Sequence, residues 1–217
     1  MEEIDKMKIK QSLVYKNDRF MFVCSTTGIM YQYNIKRGVL LCIFGNSNTG
    51  FIKNIATTKD SKYIFTANNN NHVCKWTIHT HQLVGLIMVK DIGKSAFRPM
   101  ETTNDNKSIF IRDSKCIIKK YNIQTYVIEE EIDISDQMDY KNDIKSFVVT
   151  NDDKYLLIDI FSGSVLQYNI RTKEMFGFYR AIHSHCIIQI TALHDSKYLF
   201  TCADNRELKQ WDLETRQ

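Results

Sequence analysis

The chain has 217 residues, 43% of them hydrophobic and 12% aromatic, which are the proportions of a folded globular protein and exclude a largely disordered one. A formal charge of +4 with a sequence pI near 8.6 is too mild for the dense basic footprint of a nucleic-acid binder. The longest apolar run, Val39 to Phe44, is too short to span a bilayer, and MEEIDKMKIK lacks the apolar core of a signal peptide.

These features place the chain in the cytoplasm as an expectation, with nuclear or cytoskeletal association left open. Its six cysteines (Cys24, Cys42, Cys74, Cys116, Cys186, Cys202) fall mostly in predicted strands. They suit reduced, buried thiols better than a secreted disulfide framework.

The organising signal is internal repetition. The segment DSKYLFTCADNRELKQWDL, from Asp195 to Leu213, has four related copies starting at Asn17, Asp60, Asp105 and Asp152. In every copy 16 residues separate the first turn residue from an aromatic near the end, whereas whole units recur at intervals of 43, 45, 47 and 43. A rigid supersecondary core with loops of variable length produces that combination.

In chain order, each unit opens with a short apolar strand: Ile9 to Val14, Ile52 to Thr57, Phe97 to Thr102, Ile144 to Val149, and Ile187 to Ala192. Pro99, the only proline, interrupts the third of these and removes a ladder donor. A polar turn follows (KND, KDSK, NDNK, NDDK, HDSK), in which Asn, Asp and Ser side chains bond their own backbone and reverse the chain. With only 8 glycines, Asn and Asp are expected to fill the left-handed turn positions.

The second strand reads FMFVC, YIFTA, SIFIR, YLLID and YLFTC; the third ends at Tyr33, Trp76, Tyr121, Tyr168 and Trp211. A fourth strand follows in the first four copies: Val39 to Ile43, Leu83 to Ile87, about Tyr126 to Ile132, and Met175 to Tyr179. The residue before the aromatic is always polar (Gln32, Lys75, Lys120, Gln167, Gln210), and it is expected to reach solvent. The runs are short, β-branched or aromatic, and bounded by turn residues, so each unit is a four-stranded antiparallel meander. One such sheet leaves both faces wet, so several must stack face to face, and radial stacking yields a propeller.

The final copy closes its third strand with Trp211-Asp212, where the others carry Trp76-Thr77, Tyr33-Asn34, Tyr121-Asn122 and Tyr168-Asn169. On these residues nearly the whole chain resembles a divergent WD40-repeat β-propeller, an all-β fold of four-stranded blades. The expected repeats are 8–45, 51–88, 96–133, 143–180 and 186–217, the last lacking its own fourth strand. Closure from the N-terminus is poor, because EEIDK is charged and lacks strand-like alternation. A fragment of a longer propeller is therefore preferred over a closed five-blade ring.

The resemblance implies a structural network of loop His, second-strand Ser/Thr, turn Asp and third-strand Trp. His183, Thr201, Asp204 and Trp211 are its candidates in the fifth copy, and Thr66 and Trp76, with Asn70 in the turn, are what the second retains. Val23, Ile111 and Ile158 replace the hydroxyl elsewhere.

The group His183-Ser184-His185-Cys186, with His194 nearby, invites a metal reading, but it contains no paired CxxC and its spacing is wrong for four ligands. His72, Cys74, His79 and His81 fare no better, and structural or surface roles are expected for all of them. The acidic residues Glu129, Glu130, Glu131, Asp133 and Asp136 coincide with the longest repeat spacing. They read as a solvated loop between blades or, functionally, as a docking loop for a basic partner. Lys115, Lys119 and Lys120 make a basic spot without the interleaved aromatics of a nucleic-acid site.

No nucleophile elbow, phosphate loop or metalloprotease motif is present. The expected function is a non-catalytic scaffold that binds other proteins through its loops, with no cofactor, metal, small-molecule substrate, nucleic acid or membrane insertion. The alternative is a propeller subunit or fragment of a larger protein, such as an enzyme regulatory region or a nucleic-acid-associated complex.

Overall fold

The computed structural model describes residues 9–15, 19–25, 28–45, 50–90, 99–137, 143–160, 163–179 and 182–215. The chain divides into two compact units, residues 1–100 and 101–217. The fold is all-β, built from the antiparallel blades of a β-propeller.

The first unit holds two four-stranded meanders. One is formed by β1 (Ile9–Tyr15), β2 (Phe20–Ser25), β3 (Met30–Asn34) and β4 (Val39–Phe44) in sequence order, and the other by β5 (Ile52–Thr57), β6 (Tyr63–Asn68), β7 (His72–Thr77) and β8 (Leu83–Met88). The first strands of the two blades, β1 and β5, lie against each other. Between the sheets, Phe22, Met30 and Phe44 pack with Ile55, Ile64 and Trp76 in one buried cluster. The Phe44 ring meets the Trp76 indole edge-on at 6.4 Å, the geometry that aromatic quadrupoles favour.

The next blade, whose first strand starts at the boundary between the units, comprises β9 (Met100–Thr102), β10 (Ser108–Arg112), β11 (Ile117–Asn122) and β12 (Ile128–Asp133). A further blade comprises β13 (Ile144–Val149), β14 (Tyr155–Ile160), β15 (Ser164–Asn169) and β16 (Glu174–Tyr179); three strands follow, β17 (Ile187–Ala192), β18 (Tyr198–Ala203) and β19 (Leu208–Asp212). β9 starts directly after Pro99, where a missing N–H is least costly. The expected first strand of this blade began at Phe97, which, with the KND turn of the first copy, lies outside the described residues.

Four second strands bury at least four consecutive residues each, polar ones such as Thr66, Arg112 and Asp159 included, because both faces of an inner strand are covered. The turn between first and second strands repeats one device: the hydroxyls of Thr58, Thr103 and Thr150 accept from the amides of Tyr63, Ser108 and Tyr155 at 3.1, 3.0 and 2.9 Å. Left-handed backbone at Ser61, Asn106, Asp153 and Ser196 completes these turns. Asn and Asp thus fill some such positions as expected, but Ser61, His81, Tyr126, Lys173, Ser196 and Arg206 fill others, where fixed hydrogen bonds outweigh the steric cost of a Cβ.

Turns also join neighbouring blades of the second unit. Asp153 accepts from the amides of Asn104 at 2.7 Å and Asp105 at 2.9 Å, and the Asp152 amide donates to Ser196 Oγ at 3.0 Å.

Each four-stranded blade carries the same irregularity in its outer strand. Leu41, Val84, Glu129 and Phe176 are extra residues opposite the third strand, one step from the aromatic position.

Candidate functional site

The fifth copy forms a continuous polar chain. Trp211 Nε1 donates to Thr201 Oγ1 at 3.0 Å, Thr201 Oγ1 lies 2.8 Å from His183 Nε2, and His183 Nδ1 lies 3.2 Å from Glu207 Oε2. The Glu207 carboxylate can only accept, which places a proton on Nδ1; in that tautomer Nε2 accepts from the Thr201 hydroxyl, whose oxygen accepts from the indole. Lys209 Nζ bonds the Ile182 carbonyl at 2.7 Å and lies 3.3 Å from the same carboxylate. Hydrogen bonds with Asn205, His183 and Lys209 hold the Glu207 carboxyl down at about 2. The chain pins the loop before β17 onto β18 and β19.

Asp204 is not part of it. That side chain is exposed, and its backbone amide bonds the Cys186 carbonyl at 3.1 Å. The acid comes instead from Glu207, three residues later at the entry to β19, where a longer side chain spans the distance. Sequence pattern favoured the aspartate because it lies nearer the expected turn position.

In the second copy Trp76 Nε1 donates to Thr66 Oγ1 at 3.0 Å, as the spacing of ten residues implies. Asn70 takes no part; its amide donates to Asn68 Oδ1 at 3.0 Å within the turn.

The acidic run is a strand and not a loop. Glu129, Glu130, Glu131 and Asp133 belong to β12, and Asp136 lies in a short 3₁₀ turn, Ser135–Gln137. Strand pairing sets Glu131 opposite Lys119 of β11, 3.5 Å away, while Glu129, the extra residue, reaches Lys120 at 3.5 Å. Partial burial opposes ionisation of Glu129, but bonds from Ser108 and Asn122 and the Lys120 charge keep its carboxyl below the usual range. Glu130 accepts from the Tyr168 hydroxyl of the next blade. Three of these candidates are therefore engaged in cross-strand and inter-blade contacts, a role that a charge run alone does not reveal.

The polar position before the aromatic is buried in three of the five blades. Gln32 bonds the Tyr15 hydroxyl and accepts from Cys42, the Lys75 ammonium sits 3.9 Å from the Tyr63 ring centre, and Gln167 is fully buried. At these three positions the expected solvent contact is absent because each side chain finds a specific partner within the blade or on its neighbour, whereas Lys120 is half-buried and Gln210 exposed.

His185 and His194 are exposed, and His185 Nδ1 lies 2.9 Å from Ser184 Oγ. Among the described residues no three His, Cys, Asp or Glu side chains form a group able to hold a metal ion. No described helix is long and apolar enough to cross a membrane. All six cysteines are free thiols, and burial pushes Cys24 up to about 12 and Cys42 to about 11.

A concave candidate surface lies in the first unit. A cavity of about 380 Å³ is lined by Tyr15, Phe20, Leu41, Ile78, His79 and His81, with Gln32 beneath them. Burial pushes the Tyr15 hydroxyl up to about 12, so it stays a donor at neutral pH. It accepts from Gln32 Nε2, and among the described residues no acceptor is bonded to its own proton.

A scan against protein-family models finds no match, and a search of curated proteins finds none significantly similar.

Proposed function

We propose that the chain is a non-catalytic, WD40-type platform that binds partner proteins through the surfaces of its blades. The observation that carries this reading is the Trp211–Thr201–His183–Glu207 chain, which follows the loop His, strand hydroxyl and strand Trp pattern of that family with a glutamate as the acid. A non-catalytic role is supported by burial: the Thr201 hydroxyl and the His183 imidazole are sealed inside the fold, so a hydroxyl–imidazole–carboxylate chain that could move protons has no access to a substrate. Rigid blades that fix their connecting loops present a preformed surface, and a preformed surface lowers the ordering cost of association.

The test is affinity capture with the full chain from an extract of its native source, after brief cross-linking. Reproducible, competable protein partners are expected. Recovery of nucleic acid or of a turned-over small molecule in place of proteins would overturn the reading.

A further inference from the structure

The two units differ sharply in charge. Residues 1–100 carry 14 lysines and arginines against 6 aspartates and glutamates, whereas residues 101–217 carry 15 against 19. Among the described residues of the first unit the one carboxylate is Asp60, and it lies 3.3 Å from Lys62.

The apolar surface of that unit is also unusual. Neither β4 (VLLCIF) nor β8 (LVGLIM) has a charged residue, while the corresponding β12 and β16 carry glutamates. Val39, Leu41 and Ile43 are 45%, 46% and 53% exposed. Exposed outer strands are normally guarded by charge, and apolar patches left open mark binding surfaces.

The extra residue in β4 joins these two features. An inserted residue re-aims its side chain, and Leu41 lines the cavity over Tyr15 and Phe20. The rim is cationic: the Arg19 guanidinium lies 5.3 Å from the Phe20 ring centre, and the Arg19 carbonyl accepts from Ile35 at the start of the turn bearing Lys36 and Arg37. On the other side, Ser61 lines the cavity, and the turn that bears it carries exposed Lys59 and the Asp60–Lys62 pair, with Ile78 donating to the Lys62 carbonyl at 2.9 Å. The interior offers the Tyr15 proton and the imidazoles of His79 and His81 against aromatic and aliphatic walls. At about 380 Å³ the space is of the size that accepts a single ring or small ligand group.

We propose that this cavity and the adjoining face of β4 dock an acidic polypeptide segment that inserts one aromatic side chain over Tyr15 and Phe20 and lays its carboxylates along the Arg19, Lys36 and Lys59 rim. The proposal rests on the reading of the chain as a protein-binding platform and specifies the chemistry of a partner. Charge complementarity selects the occupant: a basic segment meets the like charges of Arg19, Lys36 and Lys59, with Asp60 already paired to Lys62, and a neutral one leaves the rim unused.

The experiment is fluorescence anisotropy of the full chain with a labelled peptide holding one central phenylalanine between glutamate-rich flanks. The same peptide with lysine flanks, and phosphatidylserine vesicles, are run in parallel. Saturable binding by the acidic peptide is expected, weakened by about tenfold or more in Leu41→Glu and in Arg19→Glu and reduced by added salt. Both substituted residues are exposed or half-exposed, and circular dichroism confirms that each variant is folded. The proposal is overturned by equal binding of the lysine-flanked peptide, by indifference to both substitutions, by capture of vesicles in place of the peptide, or by self-association at this face in sedimentation.

Proteins captured from extract by wild type and retained by Leu41→Glu would remove this inference and leave the platform reading intact. Peptide binding without any captured protein would do the reverse.

Discussion

Gln167 donates its side-chain amide to the backbone carbonyl of Leu213 at 3.2 Å, a bond between neighbouring blades made by a fully buried side chain. Its oxygen accepts from the Tyr179 hydroxyl at 3.0 Å, so one glutamine ties β15 both to its own outer strand and to the chain leaving β19. Replacing it with Leu conserves volume but strands two buried polar groups. Gln167→Leu is expected to cost about 2–4 kcal/mol, read as a shift in urea midpoint. A midpoint within error of wild type would show that the inter-blade bond contributes nothing net.

Trp76 and Trp211 hold equivalent positions but differ in burial. Trp76 is buried against Phe44, whereas Trp211 is only partly covered, with the Tyr179 ring at 6.2 Å. Although the fifth copy carries the fuller polar chain, Trp76→Ala should be the more damaging substitution, at about 3–5 kcal/mol against roughly half that for Trp211→Ala. Chemical denaturation of both variants gives the order, and the reverse order would mean that the His183 chain dominates over apolar packing.

Asp159 provides the clearest dependence on pH. It is completely buried, bonded to Ser146 Oγ at 3.0 Å, and burial raises its carboxyl from 3.8 to about 7, offset in part by Ser146 and the Lys145 charge. Between these values the folded state holds a proton that the unfolded chain has released, so this residue's contribution to stability declines as pH rises from about 4 to about 7 and is flat above. Asp159→Asn should remove that decline and stabilise the protein at pH 8 relative to wild type, by an amount on the order of a few kcal/mol. Parallel stability curves for the two proteins across this range would refute the assignment.

The aromatic spacing of 16 residues marked the blades and placed their strands to within a few residues, because turn chemistry and β-pairing act over short stretches of chain. The Thr66–Trp76 and Thr201–Trp211 bonds were legible for the same reason: their partners lie on one face of adjacent strands, two residues apart in register. Glu207 was not, since which acid meets His183 depends on how a loop folds back. Gln32 and Gln167 appeared solvated because polarity alone does not disclose a partner on another strand or blade. The cavity over Tyr15 was equally hidden, as its walls come from β1, β2, β3, β4 and two turns of the next blade.

The extra residue shared by the four outer strands has a bearing on how the molecule behaves in crowded solution. A straight, uncharged edge such as β4 or β8 is a template for adding strands from other molecules, and neither has a lysine or proline to prevent it. What interrupts that template is a change of shape, the kink at Leu41 and at Val84. Protection of these two outer strands against added strands therefore rests on backbone geometry at two positions, and shortening either by its one surplus residue is expected to leave a straight, uncharged edge open to polymerisation.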